Sequence, residues 1–508
     1  MYQANFLADA LQSGSAGRRD APFLTASAPA MTMSYTAFFA RAEQVAATLV
    51  SAGLRPGDRV AVQAAKTVGM LELYVGTVLA GGVFLPLNTA YTGAEIRYFL
   101  NDANPKIFVC DGARLDELTS VAQDAGVPLL WTLNADESGT FADHRDAAAP
   151  GFDAVPRDKS DLAAILYTSG TTGRSKGAML THGALAANAS VLVQSWAFTV
   201  DDVLIHALPI FHTHGLFVAT NTILMSGGSM VFMRGFNVDD ILDAMPNASV
   251  LMGVPTFYVR LLKADRLGAA SKDMRLFISG SAPLLAETHE LWQQKTGHAI
   301  LERYGMTETN MNTSNPYAEE RKAGTVGMPL PGVEIRICEP GTAQELGTDA
   351  VGILEVRGPN VFAGYWQMPE KTAEELRPNG FFITGDLARV DEDGYVQIVG
   401  REKDMIISGG FNVYPKEIEL VVDDVPGVLE SAVIGVPHPD FGEAVVAAVV
   451  ADGAKTVSEA DIIGAIGDQI ARYKQPKSIV FVPELPRNTM GKVQKNLLRQ
   501  ELATLFAA

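Results

Sequence analysis

The segment 168–176, which reads Thr-Ser-Gly-Thr-Thr-Gly-Arg-Ser-Lys, constrains the fold of this chain more than any other feature. It follows an apolar run, Leu162 to Leu166, and precedes a helix-like segment that begins near His182. Hydroxyl donors, glycines that let the backbone approach an anion, and a lysine charge are typical of a loop that binds polyphosphate. The residues expected to bind it are Thr168, Ser169, Gly170, Thr171, Thr172, Gly173 and Lys176.

Two other interpretations of this segment fit less well. The P-loop of nucleotide hydrolases requires a glycine, four residues and then Gly-Lys-Ser/Thr. Counted from Gly170, that pattern needs glycine where Ser175 stands, and counted from Gly173 it needs glycine where Ala178 stands. A flexible Ser/Gly linker would not follow directly on a buried strand. The sequence therefore predicts a phosphate-binding loop of another class.

Short β-type runs alternate with helical stretches along most of the chain, which favours an α/β fold with buried sheets. Predicted strands are 58–63, 83–87, 106–110, 203–208, 229–233, 250–254 and 275–278, and 68–79 is a predicted apolar helix. A chain of 508 residues exceeds one hydrophobic core. We expect a large N-terminal domain of stacked α/β sheets over 1–400 and a smaller α+β domain over 401–508. In the latter, Ser458 caps a helix predicted to run to about Tyr473.

Composition limits the partners and the compartment. The formal net charge of −18 argues against nucleic-acid or anionic-membrane binding. Only two cysteines are present, far apart, which indicates a reducing compartment. The longest apolar run, Tyr74 to Leu87, is too short to span a bilayer. We therefore expect a cytoplasmic protein whose polyphosphate ligand is held by local cations and backbone groups.

Two strand ends carry further candidate ligands. In Tyr304-Gly305-Met306-Thr307-Glu308-Thr309, Glu308 offers hard oxygen atoms to Mg²⁺; the alternative is a solvated glutamate at a helix start. The small residues of the turn Ser279-Gly280-Ser281-Ala282-Pro283 let a flat ring lie against the backbone; the alternative is a plain strand-to-helix turn.

The C-terminal part holds two more candidates. Asp386, after the apolar run Phe381 to Ile383, is placed to accept ribose hydroxyls with Arg401 in support; a surface salt bridge is the alternative. Lys492, in a glycine-bearing loop, is a cation of the kind that neutralises charge on a reacting carboxylate and a leaving pyrophosphate. Without support from other residues, the alternative is that Lys492 is a solvated surface lysine.

The order of these pieces resembles the superfamily of acyl-CoA synthetases, adenylation domains and luciferases, over nearly the whole chain. The resemblance rests on the phosphate loop, Tyr-Gly-Met-Thr-Glu at 304–308, Thr-Gly-Asp at 384–386, Gly-Arg-Glu-Lys-Asp at 400–404 and the terminal Gly-Lys. It implies a mobile C-terminal domain and two half-reactions. A carboxylate attacks the α-phosphate of ATP, giving an acyl-adenylate and pyrophosphate, and the thiol of coenzyme A then displaces AMP.

The resemblance also implies roles for individual residues. The positions that match nucleotide ligands of the family are Gly280, Ser281, Ala282, Pro283, Tyr304, Gly305 and Met306 around adenine, Thr307 near the α-phosphate, Glu308 and Thr171 on Mg²⁺, and Asp386 and Arg401 on ribose. Lys403 falls at the family's hinge position, and Lys492 serves the adenylation step only. Ser408, Gly409, Gly410 and Phe411 resemble the segment that lines the pantetheine tunnel, where backbone without side chains leaves room for a thiol; a turn between Ile407 and Val413 is the alternative.

The acid is indicated by the segment beside the acyl pocket. His212 lies where the family often places a ring that gates the substrate, with a role as general base as an alternative, and Thr213, Ser279 and Met306 are expected at the acyl end. Arg234 is a candidate to pair a second carboxylate bidentately; the alternative is a solvated arginine at a strand end. Arg275 is a weaker candidate for the same role.

These features predict a ligase for malonate, with methylmalonate also accepted. Three alternatives stay open: a short- or medium-chain monocarboxylate ligase, an adenylation enzyme that loads a carrier protein, and a non-enzymatic ATP-binding module. The resemblance further implies that an acetyltransferase and a deacetylase act on Lys492, because acetylation removes the lysine charge.

Overall fold

The computed structural model describes residues 2–27, 29–168, 175–408, 411–453, 455–467, 469–488 and 491–506. Contacts between Cα atoms divide the chain into two compact units. The first comprises the residues up to Glu334 together with Val356–Phe382, and the second comprises Ile335–Glu355 and the chain from Ile383 onward. The predicted boundary of the mobile domain at 400/401 and the predicted hinge at Lys403 stay predictions.

The α-helices within the described ranges are α1 (Phe6–Ser13), α2 (Tyr35–Ser51), α3 (Val68–Leu79), α4 (Gly93–Ala103), α5 (Leu115–Asp124), α6 (Thr140–Ala147), α7 (His182–Ser195), α8 (Asn221–Ser226), α9 (Val238–Ala244), α10 (Pro255–Leu262), α11 (Leu267–Ala270), α12 (Ala286–Thr296), α13 (Pro369–Glu375), α14 (Pro415–Asp423), α15 (Glu459–Ile466) and α16 (Lys495–Glu501). A π-helical segment, His214–Thr220, leads into α8.

The strands are β1 (Pro22–Ser27), β2 (Ala30–Ser34), β3 (Arg59–Gln63), β4 (Val83–Pro86), β5 (Ile107–Cys110), β6 (Leu129–Thr132), β7 (Leu162–Thr168), β8 (Lys176–Thr181), β9 (Val203–His206), β10 (Ser229–Phe232), β11 (Val250–Gly253), β12 (Leu276–Ser279), β13 (Leu301–Met306), β14 (Asn310–Ser314), β15 (Met328–Pro329), β16 (Glu334–Cys338), β17 (Gly352–Arg357), β18 (Phe382–Val390), β19 (Val396–Arg401), β20 (Ile406–Ser408), β21 (Phe411–Val413), β22 (Val428–His438), β23 (Gly442–Ala451) and β24 (Ser478–Phe481).

The first unit contains two largely parallel sheets. One has the order β6-β5-β3-β4-β7-β8, and the other β15-β14-β13-β12-β11-β9-β10-β1-β2. The central strands β4, β5, β11 and β12 are short apolar runs buried along their whole length, and β3 is buried after Arg59, as expected when helices cover both faces of a parallel sheet. The strands predicted from such runs are confirmed within one or two residues at each end, and the helix 68–79 has its predicted bounds.

The second unit contains two smaller sheets, with the orders β16-β17-β18-β19 and β21-β20-β23-β22, where β24 pairs with β23. Ser458 forms a capping box with Asp461, so the predicted start of α15 is confirmed. Its predicted end near Tyr473 is wrong, because α15 ends at Ile466 and Gly467 follows. Glycine lowers helix propensity by about 1 kcal/mol relative to alanine, and Gly464 adds to that effect.

A membrane-spanning element was not expected from the sequence. In the described ranges, no helix combines the length and the apolar character that crossing a bilayer requires.

Asp423, at the end of α14, makes the stability of the second unit depend on pH. Its Oδ1 is buried without a hydrogen-bond partner among the described residues. Burial, opposed by Lys416 and aided by Glu419, raises the pKa of Asp423 from 3.8 to about 7. The folded state therefore binds more protons than the unfolded state between these values, and stability falls as the pH rises through this window.

We expect Asp423→Asn to unfold at a higher temperature than the wild type at pH 8, and close to the wild type at pH 4. The amide keeps the shape of the protonated carboxyl and cannot ionise. Thermal melts at the two pH values check this, with Asp424→Asn, a change at an exposed neighbour, as the control. An equal stability difference at both pH values would contradict the assignment.

Candidate active site

The first group of predicted ligands lies on a β-hairpin. β13 runs through Tyr304 and Gly305 to Met306, and Met306 pairs with Asn310 across the turn. A Cβ atom on Gly305 would lie 1.8 Å from the carbonyl oxygen of Asn310, so this close approach requires glycine. Glu308 lies in the turn and is 5 % exposed. The alternative of a solvated glutamate at a helix start is therefore wrong.

A network of asparagines holds the hairpin in place. The side-chain amide of Asn360 donates to the carbonyl oxygen of Thr309 (2.6 Å) and to Oδ1 of Asn312 (3.0 Å). The side-chain amide of Asn310 donates in return to the carbonyl oxygen of Asn360 (3.0 Å). The sequence analysis missed Asn360, because it lies far along the chain from the motif that it supports.

Glu308 belongs to a buried cluster around Tyr365. The hydroxyl of Tyr365 donates to Oε2 of Glu375 (2.6 Å) and lies 3.0 Å from Oε1 of Glu308. The ammonium of Lys176 lies 3.1 and 3.2 Å from the two carboxylate oxygens of Glu375 and 4.1 Å from the centre of the Tyr365 ring. The structure thus brings together Lys176 and Glu308, predicted for phosphate and metal. It adds Tyr365 and Glu375, which the sequence analysis missed.

Most of the predicted phosphate loop cannot be placed. Ser169, Gly170, Thr171, Thr172 and Gly173 lie outside the described residues. Its two ends are described, since β7 and β8 are antiparallel and Thr168 pairs with Lys176. The loop therefore connects two strands of the same sheet, next to the Lys176 cluster.

The donor set around Glu308 fits Mg²⁺ in part. In the described portion of the chain, no group of three or more His, Cys, Asp or Glu side chains could hold a metal ion. A buried carboxylate such as Glu308 supplies hard oxygen atoms, and Mg²⁺ usually completes its shell with water and substrate phosphates. Burial raises the pKa of Glu308, as expected for a carboxylate whose charge is balanced when a cation binds.

A second candidate pocket lies where β12 ends beside β13, which itself continues to Met306. Ser279 pairs with Glu302 in parallel register, so the next residues, Gly280 and Arg303, face each other. A Cβ atom on Gly280 would lie 2.4 Å from Cζ of Arg303, which shows how closely the guanidinium packs on this backbone. Arg303 is 3 % exposed, and its Nε and Nη2 atoms have no hydrogen-bond partner among the described residues.

Other polar atoms around this pocket are also buried without partners in the described part of the chain. They are Oγ of Ser279, Oγ1 of Thr213 and Nε2 of His214. Nδ1 of His214 lies 3.1 Å from Oγ of Ser281, whose backbone has a φ of 72°. A non-glycine residue in that region carries strain, which is common at functional sites. Ala282 and Pro283 continue this loop toward α12.

Arg303 is a further buried charged residue that the sequence analysis did not single out. Burial lowers the pKa of its guanidinium to about 10, and its charge in turn contributes, after burial, to the lowered pKa of His214. A guanidinium with this pKa is still charged at neutral pH. Burying a cation costs free energy, and the nearby charge of Glu302 compensates for that cost in part. The signal in the sequence is a charged pair, Glu302-Arg303, inside an otherwise apolar strand.

The two arginines predicted for the second carboxylate lie elsewhere. Nε and Nη2 of Arg275 donate to the two carboxylate oxygens of Asp202 (2.6 and 2.8 Å), and Nη1 donates to the carbonyl oxygen of Trp196. These hydrogen bonds use three of the five N–H groups of Arg275, including the Nε–Nη2 edge that would otherwise pair a carboxylate bidentately. Arg234 is exposed beyond β10, and its Nη2 donates to the carbonyl oxygen of Ala135 (2.8 Å). This contact gives no support to a clamp at Arg234.

His212 directly precedes Thr213, at the start of the π-helical segment. Burial lowers its pKa to about 4, so its ring is neutral at neutral pH. The ring centre lies 5.5 Å from that of Phe211. A neutral ring in contact with another aromatic ring is compatible with gating of the acyl pocket, and the role stays a prediction.

The second unit holds the other predicted ligands. Asp386 and Arg401 are cross-strand partners on β18 and β19, with Oδ1 of Asp386 2.9 Å from Nε of Arg401. Partial burial and the nearby charges of Arg401 and Lys492 lower the pKa of Lys403 to about 8. Lys492 is exposed on a turn, and its backbone amide donates to Oδ1 of Asn488 (3.0 Å). Within this unit, Lys403 and Lys492 are therefore neighbours.

The predicted tunnel segment is described only at its ends. Gly409 and Gly410 lie outside the described residues. Ser408 is buried on β20, and Phe411 opens β21 with 55 % of its surface exposed. The Phe411 ring stacks on that of Tyr473, with the ring centres 4.7 Å apart.

Comparisons with known proteins agree with this arrangement. Residues 11–366 match the family described as AMP-binding enzyme, and residues 417–492 match the AMP-binding enzyme C-terminal domain. The crystal structure of ATP-bound MatB from Rhodopseudomonas palustris superposes with a TM-score of 0.96 at 56 % identity, covering 99 % of each chain. The malonate–CoA ligase of Arabidopsis thaliana is 34 % identical over 484 residues (89 % of this chain, 79 % of the relative). The mitochondrial malonate–CoA ligase ACSF3 of Mus musculus is 36 % identical over 490 residues (89 % and 83 %).

Proposed function

Because this chain belongs to the family of AMP-binding enzymes, we propose that it is an ATP-dependent malonate–CoA ligase that forms AMP. The predicted superfamily and fold class, a large α/β domain followed by a smaller one, are confirmed by the two family matches and by the structural match. The observation that carries the choice of malonate is Arg303, a buried cation with two unpartnered N–H atoms in the pocket beside Gly280.

A diacid suits this pocket better than a monoacid. One carboxylate of malonate must react with ATP, and the other needs a partner inside the protein. Nε–H and Nη2–H of Arg303 lie on one edge of a planar guanidinium, the geometry that pairs with a carboxylate through two parallel hydrogen bonds. The buried atoms Ser279 Oγ and Thr213 Oγ1 supply further hydroxyl donors. A monocarboxylate would leave these groups desolvated and unpaired.

In this proposal, the residues implied by the family resemblance carry out adenylation. An oxygen of the reacting carboxylate bonds to the α-phosphorus as the bond from that phosphorus to the αβ-bridging oxygen breaks, and pyrophosphate leaves. Lys492 neutralises the charge that builds on the entering and leaving oxygens. Lys176 holds the terminal phosphates, and the 279–283 turn with Tyr304 flanks adenine. Asp386 accepts the ribose hydroxyls while Arg401 orients it (2.9 Å).

The second half-reaction forms the thioester. The sulfur of coenzyme A bonds to the malonyl carbonyl carbon, the bond to the AMP oxygen breaks, and the thiol proton leaves to solvent. Glu308 and, as the family resemblance implies, Thr171 would hold Mg²⁺, which would supply charge neutralisation on the phosphate oxygens of bound ATP. The burial of Glu308 agrees with that role.

Several finer features belong to the same proposal. Methylmalonate is a second substrate, because one methyl group changes binding in a pocket by only about 1–3 kcal/mol. A lysine acetyltransferase and a deacetylase control Lys492, which is exposed on its turn. Location in the cytoplasm stays a prediction from cysteine usage, and the relatives include mitochondrial ligases.

The test is AMP release with ATP, Mg²⁺ and coenzyme A across malonate, methylmalonate, succinate, acetate, butyrate and benzoate. We expect activity with malonate and methylmalonate, and at least about 100-fold lower kcat/KM with acetate and butyrate, because a buried polar site rejects ligands that leave it unpaired. Highest activity with butyrate or benzoate would replace malonate by a monocarboxylate. Activity that requires a carrier protein in place of coenzyme A would indicate a loading enzyme.

A further inference from the structure

Lys176 already has an anionic partner inside the protein. Its ammonium makes two contacts with the carboxylate of Glu375 (3.1 and 3.2 Å) and lies over the Tyr365 ring. The side chains of Lys176 and Glu375 are only 14 % and 23 % exposed. A phosphate oxygen that binds Lys176 must therefore compete with this carboxylate for the same three N–H donors.

Glu375 is built to give up this contact without becoming unpaired. Its Oε1 lies 3.0 Å from the ammonium of Lys371, and its Oε2 accepts a hydrogen bond from Tyr365 (2.6 Å). The backbone of the segment is fixed as well, since the amide of Tyr365 donates to Oγ1 of Thr372 (2.8 Å). If Lys176 turns to a phosphate, Glu375 keeps two partners. The exchange then avoids the cost of leaving a desolvated carboxylate alone.

We propose that Glu375 is a positioning residue that occupies, on Lys176, the place of a terminal phosphate of ATP. The inference rests on the proposed function, since it takes ATP as the ligand of Lys176. It carries two consequences. Glu375 holds the lysine ammonium at the phosphate site when no phosphate is bound, and it recaptures Lys176 as pyrophosphate leaves. Affinity for ATP and pyrophosphate is thereby kept moderate, which favours product release.

The test is Glu375→Gln, which keeps the shape and the hydrogen bond from Tyr365 but removes the charge that competes for Lys176. We expect the KM for ATP and the inhibition constant of pyrophosphate to fall together by about two- to fivefold, the effect of a partly exposed ion pair, while the KM for malonate is unchanged. Lys371→Gln should raise the KM for ATP, because Glu375 loses one cationic partner and then pairs more strongly with Lys176.

The matched control is Glu374→Gln, which removes the same charge from the same helix. Glu374 contacts Lys371 and its side chain is 64 % exposed, so the KM for ATP should stay at the wild-type value. A higher KM for ATP in Glu375→Gln, or equal shifts in both glutamine variants, would overturn the inference. Calorimetric titration of ATP without any acid repeats the comparison. This titration measures ATP binding alone and does not depend on the choice of acid. A wrong malonate assignment would instead appear as a wild-type protein that is inactive with malonate.

Discussion

Arg303→Met is expected to abolish malonate activation and, in the same protein, to raise the melting temperature. The guanidinium is 3 % exposed, and its Nε and Nη2 find no partner in the described ranges, so the nearby charge of Glu302 offsets only part of the cost of its burial. Methionine fills a similar volume with an apolar chain. Without the guanidinium, the second carboxylate of malonate has no partner at this position. The kcat/KM for malonate should therefore fall by about 10³- to 10⁵-fold, the range for a polar site whose partner is missing.

The opposite signs of the two effects are the informative part. A variant that merely disturbs packing loses both activity and stability, whereas removal of a group kept for ligand binding gains stability at the cost of function. We also expect the ratio of butyrate to malonate activity to rise, because the pocket no longer carries an unpaired cation. Melting curves and kcat/KM for both acids are the measurements.

Arg145→Met is the matched control for that prediction. Arg145 is 2 % exposed, but Nη1 lies 2.8 Å from Oε2 of Glu72 and Nε lies 2.8 Å from Oδ1 of Asp146. Glu72 would keep Arg41 as a partner (2.6 Å), but losing Arg145 removes one of the two cations that balance this buried carboxylate, which destabilises the fold. The same substitution should therefore lower the melting temperature at Arg145 and raise it at Arg303. A lower melting temperature at both sites would remove the argument that Arg303 is held for an anion.

The second large effect is expected from Lys492→Ala. Adenylation should fall by about 10²- to 10³-fold, the typical result of deleting one group that stabilises transition-state charge. Formation of malonyl-CoA from supplied malonyl-adenylate should continue at the wild-type rate, because the family resemblance assigns Lys492 to the adenylation step only. ATP–pyrophosphate exchange measures the first half-reaction, and thioester release from the adenylate measures the second.

Stoichiometric acetylation of Lys492 should reproduce both results, since the amide carries no charge. Lys455→Ala, a change at an exposed lysine of the same unit, serves as the control and should affect neither half-reaction. Equal losses in both half-reactions would show that Lys492 supports the unit as a whole. Retained exchange after acetylation would exclude regulation through this lysine.

The sequence predicted the strands of the first unit well because each is a short, continuous apolar run, a pattern that burial on both faces imposes. It was less informative about α15, where an apolar pattern continued past Gly464 and Gly467 but the helix ends at Ile466, and glycine lowers helix propensity. Apolar sequence patterns indicate which segments are buried, but they predict helix ends less well where glycines interrupt the pattern.

The ligand sets were predicted in part, for a related reason. Glu308 was found because its motif is contiguous in sequence. The partners that define its surroundings, Tyr365 and Glu375, lie more than fifty residues downstream, and nothing in their local sequence points back to it. The choice among the arginines stays a prediction, because it depends on how each guanidinium is paired. Asp202 takes Arg275, whereas Arg303 is left with two open N–H groups, and sequence spacing shows neither relation.

The second unit is discontinuous along the chain, and this limits how the protein can be divided. Its sheet β16-β17-β18-β19 draws strands from both stretches, and Met405 and Tyr414 pack against an apolar cluster made by Ile353, Leu387 and Val399. A recombinant fragment that starts at residue 401 would uncover Met405 and Tyr414 and would lose every strand of that sheet. A split-protein or segmental-labelling design with a single ligation junction should therefore yield an insoluble C-terminal piece. The piece should be soluble only if it includes residues 335–355 and 383–400.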